Sequence, residues 1–391
     1  MNTLYDGHPL KKIHFLMKVS LRWIPTFAMS QFRFQSREPK HILFCNVDHY
    51  EPGTGRVSEV VARQRVDMLL NDYPKLANNH RDSDGCPPKR TWFFPPHYHR
   101  NYYLRDLVRL CEQGYGEIEL HLHHGKEKPD TSENLEATIT QCIKEYAQFG
   151  IFGTFENSRR YGFIHGDWAL NNSRGGKFCG VNDEIEILSK TGCYADFTFP
   201  SCNEANPSQI NSIYYASDHR PIPKSYDSGR RVSTSRTPRN DLMIIQGPLH
   251  PFFITSSPLS LRVLGDGING NPPVDQRRID SWVKLGIGIE GKDDWIIIKT
   301  HTHGATDHHA VLGREMDELF GYLENKYNDG THYVLHYVSA RELYNIIKAA
   351  EAGEHTDDMI TRHRRKRNVG TQAAPVVPDL DGPLFGNPFV D

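Results

Sequence analysis

Glu117-Ile118-Glu119-Leu120-His121-Leu122-His123-His124-Gly125 is the stretch on which the reading of this 391-residue chain turns. Its alternation of apolar and polar residues predicts a strand over 117–123, with Glu119, His121 and His123 on one face. Two other strand-like runs end the same way. An apolar run over 42–47 leads into Asp48-His49-Tyr50-Glu51-Pro52, and Ile296-Ile297-Ile298 leads into Lys299-Thr300-His301-Thr302-His303-Gly304. Three strands that each finish in imidazoles and carboxylates predict a parallel sheet with its chemistry gathered at one edge.

Working outward, strand patterns recur over 41–47, 90–94, 117–123, 161–165, 194–199, 242–246, 295–300 and 333–338. Helical periodicity falls between the early ones, over 57–73, 102–113 and 131–149, where Ser132 is placed to cap the last. Strands alternating with helices predict an α/β fold, and their number suits a (β/α) barrel. Residues 200–280, rich in Pro, Asn, Ser and Arg, are expected to form a long loop-rich insertion of unassigned fold. A GxGxxG match at 265–270 runs into Pro272 and Pro273, where a dinucleotide site needs a helix N-terminus, and is read as a loop.

The barrel is expected over 41–355, preceded by an N-terminal extension, 1–40, and followed by an unstructured tail, 356–391, with a basic run at 362–367. In the extension, Lys18 and Arg22 interrupt an apolar stretch over 13–29, so neither a signal peptide nor a membrane span is expected. An amphipathic helix there would pack on the domain or touch a membrane surface peripherally.

Composition narrows the functions. Lys and Arg total 46 against 48 Asp and Glu, a net charge of −2 that gives no electrostatic reason to bind nucleic acid. The 7 cysteines are odd in number and never spaced as CxxC, which predicts a reducing, cytoplasmic setting rather than a disulfide framework. The 21 histidines are about twice average usage and point to metal or proton chemistry. Two HxH pairs and an Asp at comparable strand ends favour one divalent cation over histidines that merely hydrogen-bond loops. Another segment, Phe163-Ile164-His165-Gly166-Asp167-Trp168-Ala169-Leu170-Asn171, leaves a strand into a polar, aromatic loop. His165, Asp167, Trp168 and Asn171, with His97 after the Phe93-Phe94 run, are candidate substrate-binding residues: an indole stacks on a sugar face and the polar groups bond hydroxyls.

In order and placement across 41–350, these motifs resemble the polysaccharide deacetylase family of the glycoside hydrolase/deacetylase barrel superfamily. Asn46-Val47-Asp48-His49 stands where that family has Thr-Phe-Asp-Asp, Thr91-Trp92-Phe93-Phe94 resembles its second strand, and Glu117-Ile118-Glu119-Leu120-His121 its Glu-Ile-Gly-x-His. Lys299-Thr300-His301 is similar in part to its late Leu-x-His. The Phe-Ile-His-Gly-x-Trp-Ala-Leu and Lys-x-His-Thr-His-Gly-Ala strings are similar to a bacterial branch of deacetylase-like proteins. The chain departs from the family where Gly125 replaces its second metal histidine, His49 its second Asp, and the segment around His165 its Arg motif.

The resemblance implies a distorted or incomplete barrel of the seven-stranded type and metal-dependent hydrolysis of an N-acyl, typically N-acetyl, group on a carbohydrate. Zinc is the expected cation, with His121 and His123 as first ligands, His49 or Asp48 as third and His124 in reserve. Asp48 is otherwise the base, and His301 or His303 the general acid. The alternatives are a barrel amidohydrolase, a glycoside hydrolase using a carboxylate pair, for which Glu51 and Asp167 are the candidates, and an inactive sugar-binding barrel.

Overall fold

A computed structural model describes residues 21–28, 39–98, 101–155, 158–217, 222–236, 241–253, 261–354 and 358–365. In chain order its first strands are β1 (Lys40–His49), β2 (Arg90–Phe94), β3 (Gly116–Leu122), β4 (Gly153–Phe155), β5 (Ser158–His165), β6 (Cys193–Asp196) and β7 (Ile213–Ala216). Then follow β8 (Arg230–Arg231), β9 (Leu242–Ile245), β10 (His250–Phe253), β11 (Leu261–Leu264), β12 (Gly267–Ile268), β13 (Trp295–Thr302) and β14 (Tyr333–Tyr337).

Twelve of these build one sheet in the order β12-β13-β1-β2-β3-β5-β6-β9-β7-β8, with β14 also on β1 and β4 on β5; β10 and β11 pair separately. From β12 to β9 the neighbours along this path are parallel, whereas β7 and β8 join antiparallel. The result is a mixed α/β fold on a mostly parallel sheet, and among the described strands no pairing joins its two ends. Parallel neighbours bring the ends of β13, β1, β2, β3 and β5 to the same edge, which is why the histidines meet.

Residues 200–280 are not solely an insertion: they supply β7, β8, β9 and β12. The short apolar runs Ile213-Tyr214-Tyr215-Ala216 and Leu242-Met243-Ile244-Ile245 are buried throughout, and the Pro- and Asn-rich connections around them obscure the first in the sequence.

Side-chain alternation sorts β1, β3 and β13 into two faces. On the inner face, Leu43, Cys45 and Val47 of β1 share a cluster with Phe93, Ile164, Ala195, Ile245 and Ile297. The outer face bears Ile42, Phe44, Ile296 and Ile298 against Met316, Leu319 and Leu323 of the helix Arg314–Tyr327. Farther along it, Trp92, Leu120 and Leu122 meet Val66, Leu69 and Tyr73 of the helix Glu59–Asn78. Helix starts follow side-chain caps: the Ser58 hydroxyl accepts the Val61 amide, and Ser339 with Glu342 closes a capping box. Thr131, not Ser132, caps the helix Ser132–Ala147, because its hydroxyl is the one that accepts the Asn134 amide.

Residues 21–28 are helical, and Trp23 packs with Ile210 and Leu249; residues 1–20 and 29–38 of the expected extension lie outside the described residues. None of the described helices is long and apolar enough to cross a membrane. The tail boundary expected at 355 comes too early. Met359–Arg365 is a helix whose Met359 and Ile360 join the inner cluster beside Leu343, Ile346 and Ile347, two apolar residues sufficing to dock a segment otherwise dominated by charge. Residues 366–391 lie outside the described residues. Ile360, 4 % exposed, should cost roughly 2–4 kcal/mol of unfolding free energy when changed to Ala, as large-to-small core substitutions do. Denaturant titration checks this, and a change below about 0.5 kcal/mol would contradict docking of the segment.

Candidate functional site

Inner positions continue past the core residues to the sheet edge, so His49, His121 and His301 emerge on one side, followed by Glu51, His123 and His303. Their rings touch in sequence: His123 and His121 are 4.7 Å apart between centroids, His121 and His49 4.9 Å, His49 and His303 4.8 Å. His97 sets its edge 5.5 Å from His123, and Trp168 lies 6.4 Å from His301.

Within this cluster Glu51, His121 and His123 each offer a ligand atom, all within 4.8 Å of one another. His121 Nδ1 donates to the Ile164 carbonyl at 2.9 Å, and His123 Nδ1 to Asp167 Oδ2 at 2.8 Å. Each ring is thereby fixed with its Nε2 turned to the cluster, and both Nε2 atoms are buried without a hydrogen-bond partner. Glu51 Oε1 lies 3.0 Å from His123 Nε2, off the direction a hydrogen bond requires, and 4.0 Å from His121 Nε2. Ligand atoms bound at about 2.0–2.1 Å around a tetrahedral zinc stand about 3.3 Å apart, so this trio fits a zinc-class cation. Orphaned imidazole nitrogens beside a carboxylate are a donor set for such an ion, and Asp167 and the Ile164 carbonyl hold the rings toward it.

Protonation agrees with that use for His121 and Glu51. Burial pushes His121 down to about 3, helped by the neighbouring His123, and keeps His49 well below the usual imidazole range together with His303. Burial also lowers His303, to about 4, with His301 adding to it. Burial opposes ionisation of Glu51, yet His123 and His121 hold its carboxyl below the usual range. Burial opposes a charge on His123, yet Asp167 and Glu51 raise it, so a cation there would displace a proton from His123, whereas neutral His121 and ionised Glu51 are already in metal-binding form.

His301 differs from its neighbours. Its Nδ1 lies 2.6 Å from Asp266 Oδ1, while the buried Lys299 ammonium bonds Asp266 Oδ2 at 2.6 Å. Burial works against the Asp266 carboxylate, but His301 and Lys299 hold it down to about 2. A fixed carboxylate on Nδ1 orients the ring and turns its Nε2 away from Asp266, the geometry an acid–base histidine needs.

Several expected site residues lie elsewhere. Asp48 has the outer parity, one residue from His49. Its Oδ1 accepts the Gly304 amide at 2.6 Å and its Oδ2 is 3.5 Å from Arg90 Nη1, so it is neither ligand nor base but a buried clamp on the loop after β13. Gly304 is fixed by this contact: a Cβ there would lie 2.2 Å from Asp48 Oδ2. His124 also has the outer parity, and joins His165, Cys179 and Glu184 in a second cluster of potential metal ligands, buried behind the first. His165 and Asn171 do not face a substrate: His165 is fully buried in that cluster, and Asn171 Nδ2 donates to the Asn182 carbonyl at 2.7 Å. Asp167, Trp168 and His97 do stand beside the first cluster, Asp167 and Trp168 on backbone with φ of 56° and 53°. The residues missed are Glu51 as a potential ligand, whose parity with His49 was a usable signal, and Asp266, Cys179 and Glu184, which only the tertiary fold delivers.

Compared with known proteins, the chain matches no family model and no curated protein.

Asp48→Ala should destabilise the fold by about 3–5 kcal/mol by leaving the Arg90 guanidinium buried and unpaired, while the folded protein keeps its full cation content. Elemental analysis and denaturant titration of the same sample separate the two effects; loss of metal from a stable variant would return Asp48 to the site.

Proposed function

We propose that this chain is a metal-dependent hydrolase acting on an N-acyl, most simply N-acetyl, group of a carbohydrate, built on a distorted, incomplete (β/α) barrel like that of the polysaccharide deacetylases. The observation that carries the reading is the juxtaposition of two orphaned imidazole nitrogens and Glu51 with an Asp-His pair on a neighbouring strand end. The inner cluster drawn from β1, β2, β5, β6, β9 and β13 supports a curled sheet. The resemblance in motif order supports the substrate class.

His121, His123 and Glu51 would hold the cation, with His49 beside them. Such an ion, zinc in this reading, supplies Lewis-acid polarisation of the acyl carbonyl and a more acidic water. His301 carries the proton on Nε2 that the leaving amine takes, and Asp266 keeps the ring turned for the transfer. His303 does not share that task, because an imidazole held near 4 by its surroundings is unprotonated at neutral pH. Trp168, near His301, offers its indole face to a sugar ring, the contact that would place the acylamino group over the metal ligands. A glycosidase reading fits less well: Asp167 is hydrogen-bonded to His123 Nδ1, which ties up one of the two carboxylates that glycoside hydrolysis needs.

Zinc-loaded protein should release acetate from N-acetylated oligosaccharides and leave a free amine on the sugar. His301→Ala should keep its metal and lose about 100-fold or more in turnover, the range for removing a general acid. Turnover in His301→Ala equal to the unaltered protein would refute the assignment, and metal loss would make His301 a ligand instead.

A further inference from the structure

The second cluster lies outside the proposed active site, and its chemistry is different. His124 leaves the end of β3 and His165 the end of β5, both with outer parity, while Cys179 and Glu184 come from the segment that returns across them. All four are buried, and their ligand atoms lie within 4.8 Å of one another.

Hydrogen bonding fixes which atoms face inward. His165 Nδ1 lies 2.6 Å from the Gly166 carbonyl, which can only accept, so Nδ1 carries the hydrogen and Nε2 a lone pair. His124 Nδ1 likewise meets Asp130 Oδ2 at 2.9 Å. The two Nε2 atoms then face each other at 2.9 Å, with Glu184 Oε1 at 3.2 Å from the first and 3.5 Å from the second. Cys179 Sγ, 3.3 Å from Glu184 Oε2, accepts the backbone amides of Asn172 at 3.2 Å and Val181 at 3.4 Å, and the Asn171 amide donates to Glu184 Oε2. Lone pairs of nitrogen, sulfur and oxygen converge where a positive charge is required. Each ligand also has an outer partner that orients it, as zinc-site histidines and thiolates do.

We propose that His124, His165, Cys179 and Glu184 bind a zinc-class divalent cation as a closed four-ligand structural site. The donor set is complete without water and all four ligands are buried, the pattern of a structural rather than a catalytic zinc. The site closes a clasp already drawn in backbone: the Asp130 amide donates to the Cys179 carbonyl at 2.7 Å and the Phe178 amide to the Gly125 carbonyl at 2.9 Å. Gly125 has φ +64°, and a Cβ there would lie 2.0 Å from Cys179 O, so this approach demands glycine. Between His165 and Cys179 runs the loop with Asp167 and Trp168, so the cation would anchor the wall of the active site from behind.

Cobalt(II) separates this site from the first, because of the two clusters only this one contains a thiol. The full-length chain loaded with cobalt should bind two equivalents and show a thiolate-to-cobalt charge-transfer band in the near ultraviolet. His121→Ala should bind one and keep the band; Cys179→Ser should bind one and lose it. Should Cys179→Ser fail to fold, X-ray absorption of the zinc-loaded unaltered protein reads the same point, with a sulfur neighbour at about 2.3 Å in the averaged zinc shell. A cobalt protein without the band, a band that survives Cys179→Ser, or a zinc shell without sulfur overturns the proposal, the proton on His124 Nε2 then being the charge that joins the two rings. None of these outcomes depends on the hydrolase activity.

Discussion

Everything at the working edge of this molecule depends on side-chain alternation in parallel strands that end at the same level. Consecutive residues of a strand point to opposite faces, so His123 and His124 at the end of β3 belong to different clusters, and Asp48 and His49 at the end of β1 to different tasks. Inner positions supply imidazoles to the mouth of the sheet, and outer positions supply the groups that hold the connecting loops. Sliding one strand by one residue would exchange these sets. The register of β1 against β13, which pairs Asp48 with Thr302 and Val47 with His301, is therefore a functional as well as a structural quantity.

Placement is only half of the arrangement. Each inward nitrogen is directed by a partner on the far side of its ring: Ile164 O for His121, Asp167 for His123, Asp266 for His301, Gly166 O for His165 and Asp130 for His124. Each of these partners sits on Nδ1, so each ring keeps its Nε2 turned to the cluster it serves. Asp266 is itself held by Lys299, whose ammonium also reaches the Phe197 carbonyl, tying His301 on β13 to the far side of the inner face.

The strands β1, β2, β3, β5, β6, β9, β13 and β14 were legible in the sequence because buried parallel strands read as short apolar runs, and the HxH pairs marked two of their ends. Glu119, His121 and His123 do share a face, as their spacing dictates. Parity carried through β1 would also have separated Asp48 from His49; its place at the strand exit drew Asp48 into the site instead. Other features had no local signal. Asp266 sits in a glycine-rich loop, and Cys179 and Glu184 lie 55 and 60 positions beyond His124, with no fixed spacing to betray them. Met359 and Ile360 were hidden by the charged residues that follow them, and β7 by the Pro- and Asn-rich loops on either side.

Crystals of the zinc-loaded protein, with anomalous difference maps collected on both sides of the zinc edge, test the central claim most directly. A peak that vanishes below the edge and lies among Glu51, His121 and His123 Nε2 is the expected result. An ordered map of the strand ends with no anomalous density there would contradict the account, leaving the imidazole cluster a hydrogen-bonded rim rather than a metal centre.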